Sequence, residues 1–232
     1  MSIQTAKREK RRARFQSAMQ QLTEEFPLEH RVTNALPEIQ AAYVQVLRHW
    51  LEQAAPPGKD IVSAAVLDAL AAMDAVVIDA QGIGCYPFSA RDTGIHAHIE
   101  GKSAWAMCAL DALAIARLTH KASRVTARCT VCRCHLTVPV AADGSVEQAA
   151  CEGIRVVRLP RGLKGGPCCE NLCSAIRFLC KYCSVPAGAE SYTLPEAAAL
   201  ANSFFAFQAR LSERYLAVPA REGSAGLLRE DT

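Results

Sequence analysis

Nothing in this sequence reads as a membrane span. Its most apolar long stretch, Ile61 to Ala80, is interrupted by Asp68, Asp74 and Asp79, whereas a spanning helix needs about 18 or more apolar residues with few or no charges. Also missing is the apolar segment and small-residue cleavage pattern of an export signal, since the first residues are charged. The sequence further lacks a charge excess spread over its body. The net charge is +3, and Lys7, Arg8, Lys10, Arg11, Arg12 and Arg14 crowd into one short run, leaving the remainder near neutral. A protein whose basicity is one terminal run gives little reason to expect a nucleic-acid-binding face. There is no His-Glu-x-x-His and no arguable Ser-His-Asp arrangement, and Gly162 to Gly166 with Lys164 does not have phosphate-loop spacing. No internal repeat or low-complexity block occurs. These absences predict a cytoplasmic globular protein with no membrane partner.

What is abundant is cysteine. The 232 residues include 11 cysteines, half the chain is apolar and about a fifth is charged, so a hydrophobic core can form in one large domain or two small ones. In a reducing compartment an odd number of thiols is not a disulfide framework, and cysteine at this density points to metal or thiol chemistry.

The charged opening run leads into Phe15, Met19 and Leu22 and can form a frayed helix. Ile39, Tyr43, Val46, Leu47, Trp50 and Leu51 recur at helical spacing until Pro56-Pro57-Gly58. A second helix is expected over Asp60 to Met73. Val76-Val77-Ile78, a turn at Gln81-Gly82 and the alternation Ile95, Ala97, Ile99 read as β-structure. Helices followed by a hairpin have the order of a winged-helix unit, an order that does not by itself imply DNA binding. Beyond Gly101 the pattern predicts a short helix from Ala104 to Leu118, strands at Arg124 to Ala127, His135 to Val140 and Ile154 to Leu159, and a closing helix from Leu194 to Tyr215. That helix has Thr193 as N-cap and Pro195 in its first turn.

The densest chemical signal is Trp105-Ala106-Met107-Cys108-Ala109-Leu110-Asp111-Ala112-Leu113. Helical positions three apart share a face, so the Cys108 thiol and the Asp111 carboxylate can converge on one atom. A thiolate grips a soft metal and a carboxyl group delivers a proton. The same spacing also allows Cys108 to pack as a small hydrophobe with Asp111 facing solvent. Two Cys-x-x-Cys pairs, Cys129/Cys132 and Cys180/Cys183, with Cys134 beside the first, can supply a structural zinc site or accessory soft-metal thiols if the fold brings them together. Cys168-Cys169 lies just before Cys173, and either of that pair competes with Cys173 for a place opposite Cys108. His96 and His98 share a strand face, as an edge-strand polar pair or a metal pair. Tyr86, Phe88 and Trp105 suit either core packing or the wall of an apolar pocket.

Gly84-Cys85-Tyr86-Pro87-Phe88-Ser89, with Thr93, His96 and the Cys108 to Leu113 segment, resembles the signature of the organomercurial (alkylmercury) lyase family. Cys173-Ser174-Ala175-Ile176-Arg177-Phe178-Leu179 is similar to the family's second signature, and Leu194-Pro195-Glu196-Ala197 to the start of its closing helix. Phe178-Leu179 departs from the aromatic pair usual in that second signature. The resemblance implies an α+β fold: a helical, winged-helix-like N-terminal part packed on a mixed β-sheet core with flanking helices. The chain is expected to divide into a basic N-terminal tail or helix (1–18), a winged-helix-like domain (19–103), a cysteine-rich catalytic core (104–215) and a flexible C-terminal tail (216–232). The resemblance further implies protonolysis of carbon–mercury bonds without an organic cofactor. Cys108 and Cys173 would hold mercury, Asp111 would protonate the leaving carbon, and small thiols or a mercuric reductase would take Hg(II). Cys129 falls where the family often has a structural cysteine. The competing readings are a non-catalytic metal- or thiol-binding relative, a metal-sensing winged-helix regulator, and a relative acting on another carbon–heteroatom bond.

Overall fold

The computed structural model describes residues 3–147, 151–160 and 166–216. Most of the glycine-rich loop at 162–166 and nearly all of the tail expected from 216 lie outside these residues. The basic run belongs to α1 (Ile3–Glu25), whose last turns bury Ala18 and Leu22. A short α2 (Leu28–Thr33) precedes α3 (Pro37–Gln53). Pro37 sits in the first turn of α3, where its missing N–H costs nothing, and Tyr43, Val46, Leu47 and Trp50 form its buried stripe. The helix stops at Ala54 in left-handed backbone, before the proline pair. α4 (Ala64–Ala72) follows.

The strands β1 (Val76–Asp79), β2 (Gly82–Cys85), β3 (Phe88–Ser89), β4 (His96–Ile99), β5 (Lys102–Ala106), β6 (Ser123–Arg128) and β7 (His135–Val140) form one sheet in the order β1-β2-β3-β5-β4-β6-β7. The hairpin read as part of a winged-helix unit is thus the edge of this larger sheet, and residues 103 and 104 both lie in β5. A second sheet has the order β10-β8-β9, from β8 (Arg155–Arg158), β9 (Ile176–Leu179) and β10 (Glu190–Thr193). The α+β class is borne out. Every ladder among the described strands is antiparallel, which corrects the expectation of a mixed sheet.

The helix expected from Ala104 begins five residues later, as α5 (Ala109–Thr119). Lys102 to Ala106 instead pairs with β3 and β4, because an apolar alanine run cannot distinguish a helix from a strand whose alternate residues Ala104 and Ala106 are buried. All eight residues from Ala109 to Ala116 are buried, so α5 is a central helix, packed between the large sheet and α7 (Leu194–Phe204). The closing helix is two helices, α7 and α8 (Ala206–Leu216). The break at Phe205 lets Phe205 line the central cavity while Phe207 and Gln208 turn toward α3.

Two buried polar contacts lock the helical N-terminal part to the sheet. The Trp50 indole N–H donates to the Ile83 carbonyl at 2.9 Å, and its ring stacks on Phe88 at 5.2 Å. The Gln208 amide donates to the Tyr43 hydroxyl and to the Tyr86 carbonyl, both at 2.6 Å. Tyr86 also lies 4.6 Å from the Phe26 ring. Tyr86 and Phe88 are therefore core aromatics, and neither lines the cavity described below.

Candidate active site

Cys108 caps the N-terminus of α5 in extended backbone, and its carbonyl accepts the Ala112 N–H at 3.1 Å. Its buried thiol faces Asp111 and Cys173. Asp111 is in the first turn, the position at which a helix start favours negative charge. Asp111 is only 3% exposed, which overturns the solvent-facing alternative for its carboxyl.

The second thiol arrives from 62 residues away. A turn at Pro167–Asn171 leads into the single-turn α6 (Leu172–Ala175), and Cys173 Sγ lies 3.7 Å from Asp111 Oδ2. The donor atoms of Cys108, Asp111 and Cys173 all fall within 4.8 Å of one another, and all three residues are buried. The structure therefore brings together the three residues singled out in the sequence. Cys168 is a third thiol at the same place, 3.6 Å from Cys173 Sγ on its other side. Cys169 turns away, its sulfur 3.6 Å from the Arg91 guanidinium.

Sequence reasoning missed what holds this turn. The Cys168 N–H donates to Asp74 Oδ2 at 2.9 Å and the Cys169 N–H to the Tyr86 hydroxyl at 2.9 Å. Tyr86 in turn donates to Asp74 Oδ1 at 3.1 Å, and Arg31 stands 3.5 Å from the same carboxylate. Tyr86 carried a signal, as part of the Gly84 to Ser89 motif. Asp74 carried none, because the turn it holds, at Cys168, is 94 residues away in sequence.

Burial dominates the electrostatics. It pushes the Asp111 carboxyl up to about 7, although the Cys108 and Cys173 thiols and nearby backbone N–H groups favour the charged form. Burial likewise raises the Cys108 thiol to about 11. Cys173 is held well above the usual thiol range by its contacts with Cys108 and Cys168, and then by burial. The resting site is thus two neutral thiols beside a carboxyl group poised near neutrality.

The space beside these groups is a cavity of about 30 Å³, enough for one or two water-sized occupants. Its other walls are apolar: Leu22 of α1 and Phe26 just after that helix, Leu172 and Ile176 around α6, and Phe204 and Phe205 at the α7 break. The expected pocket aromatics Tyr86, Phe88 and Trp105 are elsewhere, Trp105 lying against His96. Phe204-Phe205 was the available sequence signal, within the closing helix. His96 and His98 stack on each other at 5.8 Å, and His98 Nε2 is 2.9 Å from Thr126 Oγ1. Their strand is interior, between β5 and β6, not an edge strand.

Five of the remaining thiols form a second group. The sulfurs of Cys129, Cys132, Cys134 and Cys180 lie within 4.8 Å of one another, and Cys183 abuts Cys132, Cys180 and Cys129. Cys85 is isolated in the core against Tyr43, and burial lifts its thiol to about 12.

The model of the alkylmercury lyase family matches residues 88–202, which contain Cys108, Asp111 and Cys173. A crystal structure described as the mercury-bound form of MerB2 is similar in fold to this chain, with a TM-score of 0.59 at 17% sequence identity, covering 80% of this chain and 99% of that one. No curated protein matches the chain. Within the matched residues, the Cys108 to Leu113 segment supplies the cap of α5 and its first turn, and the Cys173 to Leu179 segment supplies most of α6 and β9. Among the described residues no helix is long and apolar enough to cross a membrane.

Proposed function

We propose that this protein is an organomercurial lyase, in which Cys108 and Cys173 hold mercury and Asp111 delivers the proton that releases the carbon. The observation that carries this reading is the convergence of two thiols and one carboxyl group within 4.8 Å in a buried cavity. The lyase domain and the fold shared with a mercury-bound protein make mercury the metal to test.

The substrate enters as a thiol adduct, R–Hg–SR′. One cysteine sulfur displaces R′S⁻ from mercury, and its proton leaves with R′SH. The second sulfur binds mercury as Asp111 accepts its proton, and Asp111 passes that proton to the carbon as the carbon–mercury bond breaks. The products are RH and Hg(II) on two sulfurs, so two thiol protons account for R′SH and RH. Two thiolates suit a soft metal and push electron density toward the bond to carbon. A carboxyl group near 7 can both take and give a proton at neutral pH, and the dry apolar walls strengthen its interaction with developing charge. Hg(II) then passes to small thiols or to a mercuric reductase.

The test is benzene release from phenylmercuric acetate by the full chain in excess thiol. Turnover is expected in the parent, with Asp111→Ala slower by about 10²- to 10⁴-fold and no measurable release from Cys108→Ser or Cys173→Ser. Tight mercury binding without benzene in the parent would instead identify a sequestering protein. An Asp111→Ala rate equal to that of the parent would remove the carboxyl from the reaction.

A further inference from the structure

The lyase reading leaves five cysteines unused at the far end of β9. Cys129 follows β6 and opens a tight turn into β7: its N–H donates to the Cys134 carbonyl at 2.9 Å, and the Arg133 N–H returns to the Cys129 carbonyl at 3.1 Å. The amides of Val131 and Cys132 point at the Cys129 sulfur, and that of Cys134 at the Cys132 sulfur. A second turn, Cys180 to Cys183, follows β9 directly, with the Cys183 N–H donating to the Cys180 carbonyl at 3.4 Å. The two turns are docked on each other. The Thr130 N–H donates to the Phe178 carbonyl at 2.9 Å, and the Cys180 N–H donates to Cys129 Sγ at 3.4 Å.

From this geometry we infer that the paired turns bind one zinc ion through Cys129, Cys132 and Cys180, with the fourth thiolate supplied by Cys134 or Cys183. Four sulfurs about 2.3 Å from a tetrahedral ion lie about 3.8 Å from one another. Cys132 Sγ and Cys180 Sγ are 3.6 Å apart, and the set with Cys134 lies wholly within 4.8 Å. Cys183, the other candidate, contacts the sulfurs of all three shared ligands. The group contains no carboxylate and no histidine, so its donors select a thiophilic ion over magnesium or calcium. Amide N–H groups aimed at the sulfurs offset the negative charge that a tetrathiolate site accumulates. Cys129 and Cys180 are buried while Cys132 and Cys134 are exposed, which places the ion at the surface, in reach of solution metal. The site ties the β6–β7 turn to the end of β9 opposite Cys173, so it braces the strand that positions one mercury-binding thiol.

Metal content provides a readout independent of turnover. The full chain, expressed with zinc and desalted, is expected to carry about one zinc per chain by elemental analysis. Replacement by Co(II) is expected to give the intense sulfur-to-cobalt charge-transfer absorption of a tetrahedral thiolate site. Cys132→Ser, at an exposed position that leaves the core intact, and Cys180→Ser should each lose the metal, whereas Cys108→Ser and Cys173→Ser should keep it. Loss in Cys134→Ser alone or Cys183→Ser alone identifies the fourth ligand, and loss only in the double variant means that the two interchange. Retention of zinc in that double variant overturns the four-thiolate site. Less than about a tenth of a zinc per chain after reconstitution, with no charge-transfer band from Co(II), overturns the site altogether.

Discussion

Asp111 is a carboxyl group held almost out of water, and that has a thermodynamic consequence separate from any reaction. Its pKa rises from 3.8 to about 7 on folding, chiefly through burial. Between those values the folded chain keeps a proton that the unfolded chain has released, so stability falls as pH rises through this window. Three units at 1.36 kcal/mol each give a cost on the order of 4 kcal/mol above pH 7. Asp111→Asn, which cannot ionise, is expected to be more stable than the parent at pH 8 and to lose most of that advantage toward pH 4.5, as measured by urea unfolding. An advantage of equal size at both pH values would mean that the carboxylate is already ionised in the folded protein. The same variant should lack lyase turnover, so the carboxyl group whose burial weakens the fold above neutral pH is the one assigned the proton.

At the scale of elements, helix starts do the positioning. Cys108 and Asp111 are three residues apart at the N-terminus of α5, the spacing of a capping box, and the Cys108 thiol faces Asp111 and Cys173. α7 has a complete box: Thr193 Oγ1 accepts the Glu196 N–H at 3.4 Å, and Glu196 Oε2 accepts the Thr193 N–H at 2.9 Å. This cap also joins β10 to α7, the helix that ends at the cavity phenylalanines. Thr193→Ala is expected to destabilise the protein by about 1 kcal/mol in urea unfolding, with lyase turnover little changed, because the helix remains packed on α5. A loss of 3 kcal/mol or more would mean that the cap holds more than its own turn.

Across the whole molecule, the site lies where distant parts of the chain meet. α5 and α6 form its floor. α1 and the α7 break cover it, and α1 is itself held by ion pairing of Glu25 with Arg158 on β8. A cavity of about 30 Å³ is smaller than a phenyl ring, so an aryl substrate needs this cover to shift, and a methyl group needs less movement. Phe26→Leu trims the cover with little loss of apolar packing. The kcat/KM ratio for phenylmercury over methylmercury is expected to rise by about 3- to 10-fold in this variant, a scale typical of changes in one hydrophobic contact. An unchanged ratio would place substrate entry away from α1.

The sequence by itself determined the features that depend on neighbours a few residues away. The stripe of α3, its proline stop, the Thr193 cap and the closeness of Cys108 to Asp111 all follow from local spacing, since helical geometry relates residues three and four apart. Even there, the alanine-rich approach to Cys108 misled, because Lys102 to Ala106 is a strand only by virtue of its partners in β3 and β4. Tertiary structure decided the rest. It set Cys173 rather than Cys169 beside Asp111, with Cys168 behind it, and it supplied Asp74 and Tyr86 as anchors of that turn. It also covered the site with Phe26, Phe204 and Phe205, and drew Cys129 and Cys180 together across 51 residues. Contacts over such separations depend on sheet register and on where the chain returns, and no periodicity within one segment encodes either.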